Sequence, residues 1–200
     1  MRSVVRAMRQ QVGDDFPIGV KLNSADFQRG GFDEEDSAQV LQMLEEDGVD
    51  MIEISGGNYE SKAMFDLDEA QTTPGDREAY FLRYARRVRT QTQVPLMVTG
   101  GFRSRSVMTE ALRSDALDLI GMARPFANNP DIAHELLHGK LTRARPPVRI
   151  PGLHRISVAS EAMLSVVQMG LMARGIDPNG PLGPLLTALL GMVSALTTRR

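Results

Sequence analysis

Apolar residues in the first part of the chain recur with two periods that take turns, that of a helix and that of a strand. Val4, Val5, Met8 and Val12 fall at helical spacing, and Gly13-Asp14-Asp15 ends the pattern ahead of Phe16-Pro17. Ile18-Gly19-Val20-Lys21-Leu22 then places apolar side chains on alternate positions, as a strand does, and Asn23, Ser24 and Gly30-Gly31 supply loop chemistry. Asp33 stands where a helix N-cap belongs, with Glu34, Glu35 and Asp36 in a first turn whose dipole favours negative charge. Val40, Leu41 and Leu44 make the apolar stripe of that helix, and Gly48 suits a left-handed C-terminal cap. Met51-Ile52-Glu53-Ile54-Ser55 reads as a second strand closed by Gly56-Gly57.

The alternation repeats. After a loose loop over residues 58–75, a helix opens at Asp76 and buries Tyr80, Phe81, Tyr84 and Val88. A third strand covers residues 95–99 and ends at Gly100-Gly101. Ser104 can cap a short helix bearing Val107, Met108, Ala111 and Leu112, and residues 117–122 make a fourth strand. A further helix starts near Pro130, a residue favoured in a first helical turn, and stops at Gly139.

Short apolar strands alternating with helices predict parallel βα units in an α/β fold. Open sheet and closed barrel are not separated by this pattern. A complete eightfold barrel takes about 250 residues, and here about 125 residues hold four units, the repeat density of half a barrel. Residues 1–140 are therefore read as one domain and 141–200 as a C-terminal helical extension. The extension opens with basic, proline-rich Arg143-Ala144-Arg145-Pro146-Pro147 and continues as two helical patterns split around residues 175–181, with Met163, Met169 and Met172 among its apolar positions.

Composition narrows the function classes. The formal charge is −2 and the pI is near 5.9, so no basic surface for nucleic acid is implied. The absence of cysteine removes disulfides, thiolate zinc sites and cysteine nucleophiles, and fits a cytoplasmic setting. Met1-Arg2-Ser3-Val4-Val5-Arg6 lacks the apolar core of a secretory signal. The most apolar stretch, residues 181–196, is interrupted by Pro184 and Gly191 and falls short of the roughly 20 residues needed to span a bilayer. No membrane partner is expected.

In parallel α/β folds ligands bind beyond the carboxyl ends of the strands. The residues at those ends include Lys21 and Asn23, the pair Gly56-Gly57, the pair Gly100-Gly101, and Ala123-Arg124-Pro125. Glycine pairs let backbone amides approach a phosphate, and an arginine adds a fork of donors suited to its oxygens. The bland reading is that the glycines serve tight turns and that Arg124 makes a surface ion pair. Lys21 interrupts an apolar strand where a charge would face a barrel mouth. A ligand contact and an ion pair with Glu53 on the next strand both account for it, and the pattern favours neither.

Four strings in order and spacing carry a resemblance: Gly19-Val20-Lys21-Leu22-Asn23, Ile52-Glu53-Ile54-Ser55-Gly56-Gly57, Val98-Thr99-Gly100-Gly101-Phe102-Arg103, and Ile120-Gly121-Met122-Ala123-Arg124-Pro125-Phe126. Over about residues 1–140 they resemble the second half of the Old Yellow Enzyme family of NADH:flavin oxidoreductases. The resemblance implies a TIM-type (β/α)8 barrel that binds FMN, of which this chain supplies strands five to eight. It implies that Lys21 lies by the flavin pyrimidine edge, that Gly100 and Gly101 form a phosphate loop, and that Ala123 and Arg124 hold the same phosphate, with alanine in place of the usual glycine. It further implies NAD(P)H as reductant and an activated alkene or enone as the small-molecule substrate. The catalytic residues of such enzymes belong to strands one to four, so none is assigned here, and no metal site is expected. A truncated or split protein, of doubtful activity alone and pairing with another half-barrel or a second copy, follows as an expectation.

Two rivals stand beside this reading. One is a non-catalytic half-barrel module that binds FMN or another phosphate. The other is a zinc peptidase, because His134-Glu135-Leu136-Leu137-His138 spells the zincin motif. His154 and Glu161 are its candidate third ligands. Ile132, Ala133, Leu136 and Leu137 predict the buried stripe of that helix, which leaves both histidines near the polar side.

Overall fold

The computed structural model describes residues 1–26, 30–55, 82–145 and 157–176, with the backbone alone over 157–164. The chain divides into two compact units, Met1–Met122 and Ala123–Arg200.

The first unit alternates helix and strand: α1 (Arg2–Val12), β1 (Gly19–Asn23), α2 (Glu34–Glu46), β2 (Met51–Ser55), α3 (Leu82–Arg89), β3 (Leu96–Thr99), α4 (Arg105–Arg113) and β4 (Leu119–Gly121). The strands form one parallel sheet in the order β1-β2-β3-β4. A doubly wound sheet reverses its strand order at a switch point, whereas this order is sequential. Crossovers of one hand between sequential parallel strands put every connecting helix on the same face, which is the winding of a barrel wall. Sheet order thus decides what periodicity left open.

Burial agrees with that winding. Leu22, Ile52, Ile54, Leu96 and Val98 are buried on one face, as are Leu41 and Leu44 of α2 and Ala85 and Val88 of α3, and α2 contacts β1 while α3 contacts β3. The alternate positions form a row across the other face, because Lys21 pairs with Glu53, Glu53 with Met97, and Met97 with Leu119. That row is exposed or half-buried.

Local signals explain the elements. Asp33 caps α2 by accepting from the amides of Glu35 and Asp36, and the Asp36 carboxylate accepts from the Asp33 amide, closing a capping box. Gly48 follows with φ 75°, as its place after the helix demands. α1 departs from the usual amphipathic arrangement. Only Val5 of its apolar positions is buried, while Val4 and Met8 stay exposed. Its arginines meet the end of α2 instead: Arg2 Nε and Arg6 Nη2 each lie 2.7 Å from the Asp47 carboxylate. Arg9 donates to the Gly48 carbonyl at 2.8 Å and to Asp50.

β4 is shorter than the expected span of residues 117–122, since Leu117 and Asp118 precede the regular ladder. Asp118 still joins the sheet, its amide donating to Leu96 O and its carboxylate accepting from the Leu96 amide, both at 2.8 Å. Tyr84 and Val88 of α3 are buried as expected; the proposed helix start at Asp76, with Tyr80 and Phe81, lies outside the described residues. In α4, Met108 and Ala111 are buried, but Leu112 is exposed.

The second unit holds α5 (Arg124–Asn128), α6 (Ile132–Leu137) and α7 (Ser157–Met172). Sequence periodicity missed α5, which is five residues long. The expected start of α6 near Pro130 moves to Ile132, because the Asn129 side chain holds the Asp131 amide at 3.0 Å in a turn. Leu137 is 75% exposed, so the expected stripe of that helix narrows to Ile132 and Leu136. α5 contacts α6 and α7, where Gln168 and Leu171 are buried while Met169 is exposed.

Candidate functional site

The carboxyl ends of the strands bring Asn23, Ser55, Thr99 and Gly121 to one edge of the sheet, with Asn23 paired to Ser55 and Thr99 to Gly121. Beyond β1 the chain is tied down locally. Ser24 donates its amide to Ser55 O at 2.6 Å, the Asn23 amide group donates to Asp26 Oδ1 at 2.6 Å, and Ser37 Oγ donates to Asn23 O at 2.8 Å. Asn23 is therefore engaged in shaping the loop. Gly56 and Gly57 lie outside the described residues.

Beyond β3, Gly100 and Gly101 have φ of 128° and 78°. Two successive left-handed residues are open to glycine and strained for any other residue, and they turn the backbone so that its amides can line a concavity for an anion. Phe102, only 2% exposed, anchors the far side of the turn.

Thr99 and Gly121, neither of them a candidate by sequence, support this corner. Thr99 Oγ1 is buried and has no hydrogen-bond partner among the described residues. A β-carbon on Gly121 would overlap that same hydroxyl, so glycine at 121 is what admits the Thr99 side chain. A glycine inside an apolar strand is the signal for such close approach. The corner fits a phosphate-bearing group on both counts: a loop with no side chain between backbone and ligand, and an unsatisfied hydroxyl beside it.

Lys21 is not buried. Its side chain is 57% exposed and its Nζ lies 2.5 Å from Glu53 Oε1, itself 19% exposed, on the sheet face opposite the helices. The ion pair exists, and at such exposure it holds the lysine by no more than about 1 kcal/mol, so it leaves Lys21 able to turn toward a ligand.

Ala123 and Arg124 belong to the second unit, at the start of α5. Ala123 has φ −112° and ψ −70°, a torsion at which a methyl group carries no left-handed strain. Alanine in place of glycine is thus accommodated. Arg124 is exposed, with Pro125 behind it in the first helical turn.

The zincin motif divides differently. His134 and His138 are exposed as expected, but Glu135 Oε2 accepts from Asn129 Nδ2 at 2.5 Å. The glutamate thus serves the local turn. Among the described residues no three metal-ligating side chains converge; His154 and the side chain of Glu161 lie outside them. No helix among the described residues is long and apolar enough to cross a membrane.

A parallel sheet in sequential strand order, with a two-glycine turn at the end of its third strand, defines the class as α/β proteins wound like a barrel wall. Comparison with known proteins places the chain within that class. The profile of the NADH:flavin oxidoreductase / NADH oxidase family matches residues 1–142, and the chain belongs to this family. It is 34% identical over 173 residues to the NADH-dependent flavin oxidoreductase nadA of Aspergillus parasiticus, covering 86% of this chain and 38% of that protein. It is 34% identical over 164 residues to the NADH-dependent flavin oxidoreductase iliE of Hypocrea jecorina, covering 76% of this chain and 40% of that one. The chain thus spans about two fifths of the length of these relatives. A solved structure of 2-naphthoyl-CoA reductase with 2-naphthoyl-CoA superposes with a TM-score of 0.62 at 23% identity, over 72% of this chain and 22% of that one. That likeness concerns the fold. FMN as cofactor and NADH as reductant come with the family.

Proposed function

We propose that this chain provides the FMN phosphate side of an NADH-dependent flavin oxidoreductase barrel whose substrate is a small molecule with an activated alkene. When bound, FMN would supply two-electron hydride chemistry between NADH and the alkene. The observation that carries the reading is the Gly100-Gly101 turn, left-handed at both residues, in a chain that matches the family over residues 1–142.

The roles of the chain's own residues follow. The backbone amides at Gly100 and Gly101 would hold the phosphate oxygens. The family resemblance assigns a phosphate role to Arg124 as well, whose guanidinium is a charge-assisted fork suited to such oxygens, and to the backbone of Ala123, whose torsion a methyl group tolerates. Lys21 would be the cation on the flavin-ring side, where a positive charge would favour negative charge on the ring. The whole barrel performs the reaction, and the residues that anchor substrate and deliver the proton belong to strands one to four. The setting is cytoplasmic.

The purified 200-residue chain, titrated with FMN and followed by quenching of flavin fluorescence, tests the assignment. Arg124→Ala is expected to weaken FMN binding by about 10–100-fold, the equivalent of a charge-assisted hydrogen bond of ~1.5–3 kcal/mol. It should leave riboflavin, which has no phosphate, unaffected. Equal binding of FMN and riboflavin by the parent chain would remove the phosphate site from this location. NADH oxidation by the FMN-loaded chain separates an enzyme from a module that only binds.

A further inference from the structure

The zincin-like segment of α6 is not absorbed by flavin chemistry, and its geometry differs from that of a peptidase. His134 and His138 lie one helical turn apart, both exposed, with ring centroids 4.1 Å apart and planes inclined by 29°. His138 Nδ1 sits 2.8 Å from the backbone oxygen of His134. A carbonyl can only accept, so this contact puts the ring proton on Nδ1. In the neutral imidazole that leaves Nε2 with a lone pair to offer. A metal-binding histidine is commonly held in this way, one nitrogen tied to a carbonyl and the other offered to the cation.

We propose that His134 and His138 form a two-imidazole chelate for a borderline divalent transition cation, of the kind represented by Zn2+, Ni2+ and Cu2+. Neutral imidazole nitrogen selects these ions over Mg2+ and Ca2+, which require oxygen ligands. The i, i+4 spacing brings both rings to one side of the helix, where they stack; their in-plane lone pairs then run side by side, so the exposed His134 ring turns out of the stack for both nitrogens to reach one cation. Glu135 is held away by Asn129, so the ligand set is two nitrogens with water completing the shell. Among the described residues nothing adds a third ligand. A chelate with an engaged glutamate binds a cation without supplying a peptidase base.

Cu2+ serves as the probe, because affinity in this series peaks there. The tag-free chain is titrated with Cu2+ against a competing chelator, and the nitrogen hyperfine pattern is read by electron paramagnetic resonance. One equivalent should bind with two imidazole nitrogens. His134→Asn and His138→Asn should each remove one nitrogen and weaken binding on the order of 10–100-fold, at least what an outer partner of a metal ligand is worth. His154→Asn, the remaining histidine of the chain, should change neither readout. The proposal is overturned if the first two variants bind Cu2+ as the parent does, or if His154→Asn alone abolishes binding. Circular dichroism that matches the parent shows that the exposed substitutions leave the fold in place.

Discussion

Two contacts decide most at the scale of single residues. Thr99 and Gly121 are neighbours across β3 and β4, and the threonine hydroxyl occupies the volume that any side chain at 121 would need. Gly121→Ala is expected to cost about 1–3 kcal/mol, as overpacking of a close site does, read as a lowered urea midpoint. Adding Thr99→Ala should recover part of that loss, since the hydroxyl goes but the Thr99 backbone stays near. A loss unchanged by the second substitution would place the strain elsewhere. Asp47 is the second case. The Arg2 hydrogen bond, helped by Arg6, lowers its carboxyl from 3.8 to about 2. A depressed folded-state value favours the ionised form on folding, so the stabilisation is present above pH 3.8 and is lost as pH falls toward about 2. Asp47→Asn should be less stable than the parent near neutral pH, and the gap between their denaturation midpoints should close over that acid range. A gap that stays constant with pH would mean that charge is not what the arginines recognise. The Asp47 pairs were not legible in the sequence, because Arg2 and Arg6 stand more than forty positions from Asp47. Glycines 100 and 101 were legible, because left-handed torsion restricts the residue type wherever it occurs.

Single elements show where local signals suffice. The cap of α2 uses neighbours in sequence, and Asp33, Asp36 and Gly48 fall where the chain pattern puts them. Asp33→Ala removes the acceptor for two amides and should lower stability by about 1 kcal/mol, measurable in the same denaturation experiment. Asp33→Asn should keep most of it. β2 likewise matches its expected bounds, since Ile52 and Ile54 flank Glu53 in a strand's phase and Gly56-Gly57 follows the run. α5 was missed because five residues do not complete a readable helical period. Pro130 misled for a related reason: a proline suited to a first helical turn can equally sit in the turn before one, and the Asn129 side chain selected the latter. α1 had a legible pattern with an unexpected outcome. Its apolar positions did predict a helix, but ion pairs to Asp47 and Asp50 decide which face meets α2.

The parallel sheet has two unlike faces at the scale of the molecule. Leu96 is wholly buried under the helices, while Leu119 on the adjacent strand is 42% exposed on the other face. Leu96→Ala should cost ~2–5 kcal/mol, and Leu119→Ala less than about 1 kcal/mol, in thermal or urea unfolding of this chain. Similar losses at both would show that the two faces are equally covered. What the sequence determined by itself was the alternation of helix and strand, the capped helix start, and the glycines and basic residues at strand ends. Those features depend on torsion, periodicity and side-chain chemistry within a few positions. Only the tertiary structure decided the sequential strand order that makes the sheet a barrel arc, the Lys21–Glu53 ion pair, the Thr99–Gly121 contact, and the diversion of Glu135 to Asn129. Each of these depends on which segments meet, and that is set by long-range burial and register, which no local pattern encodes.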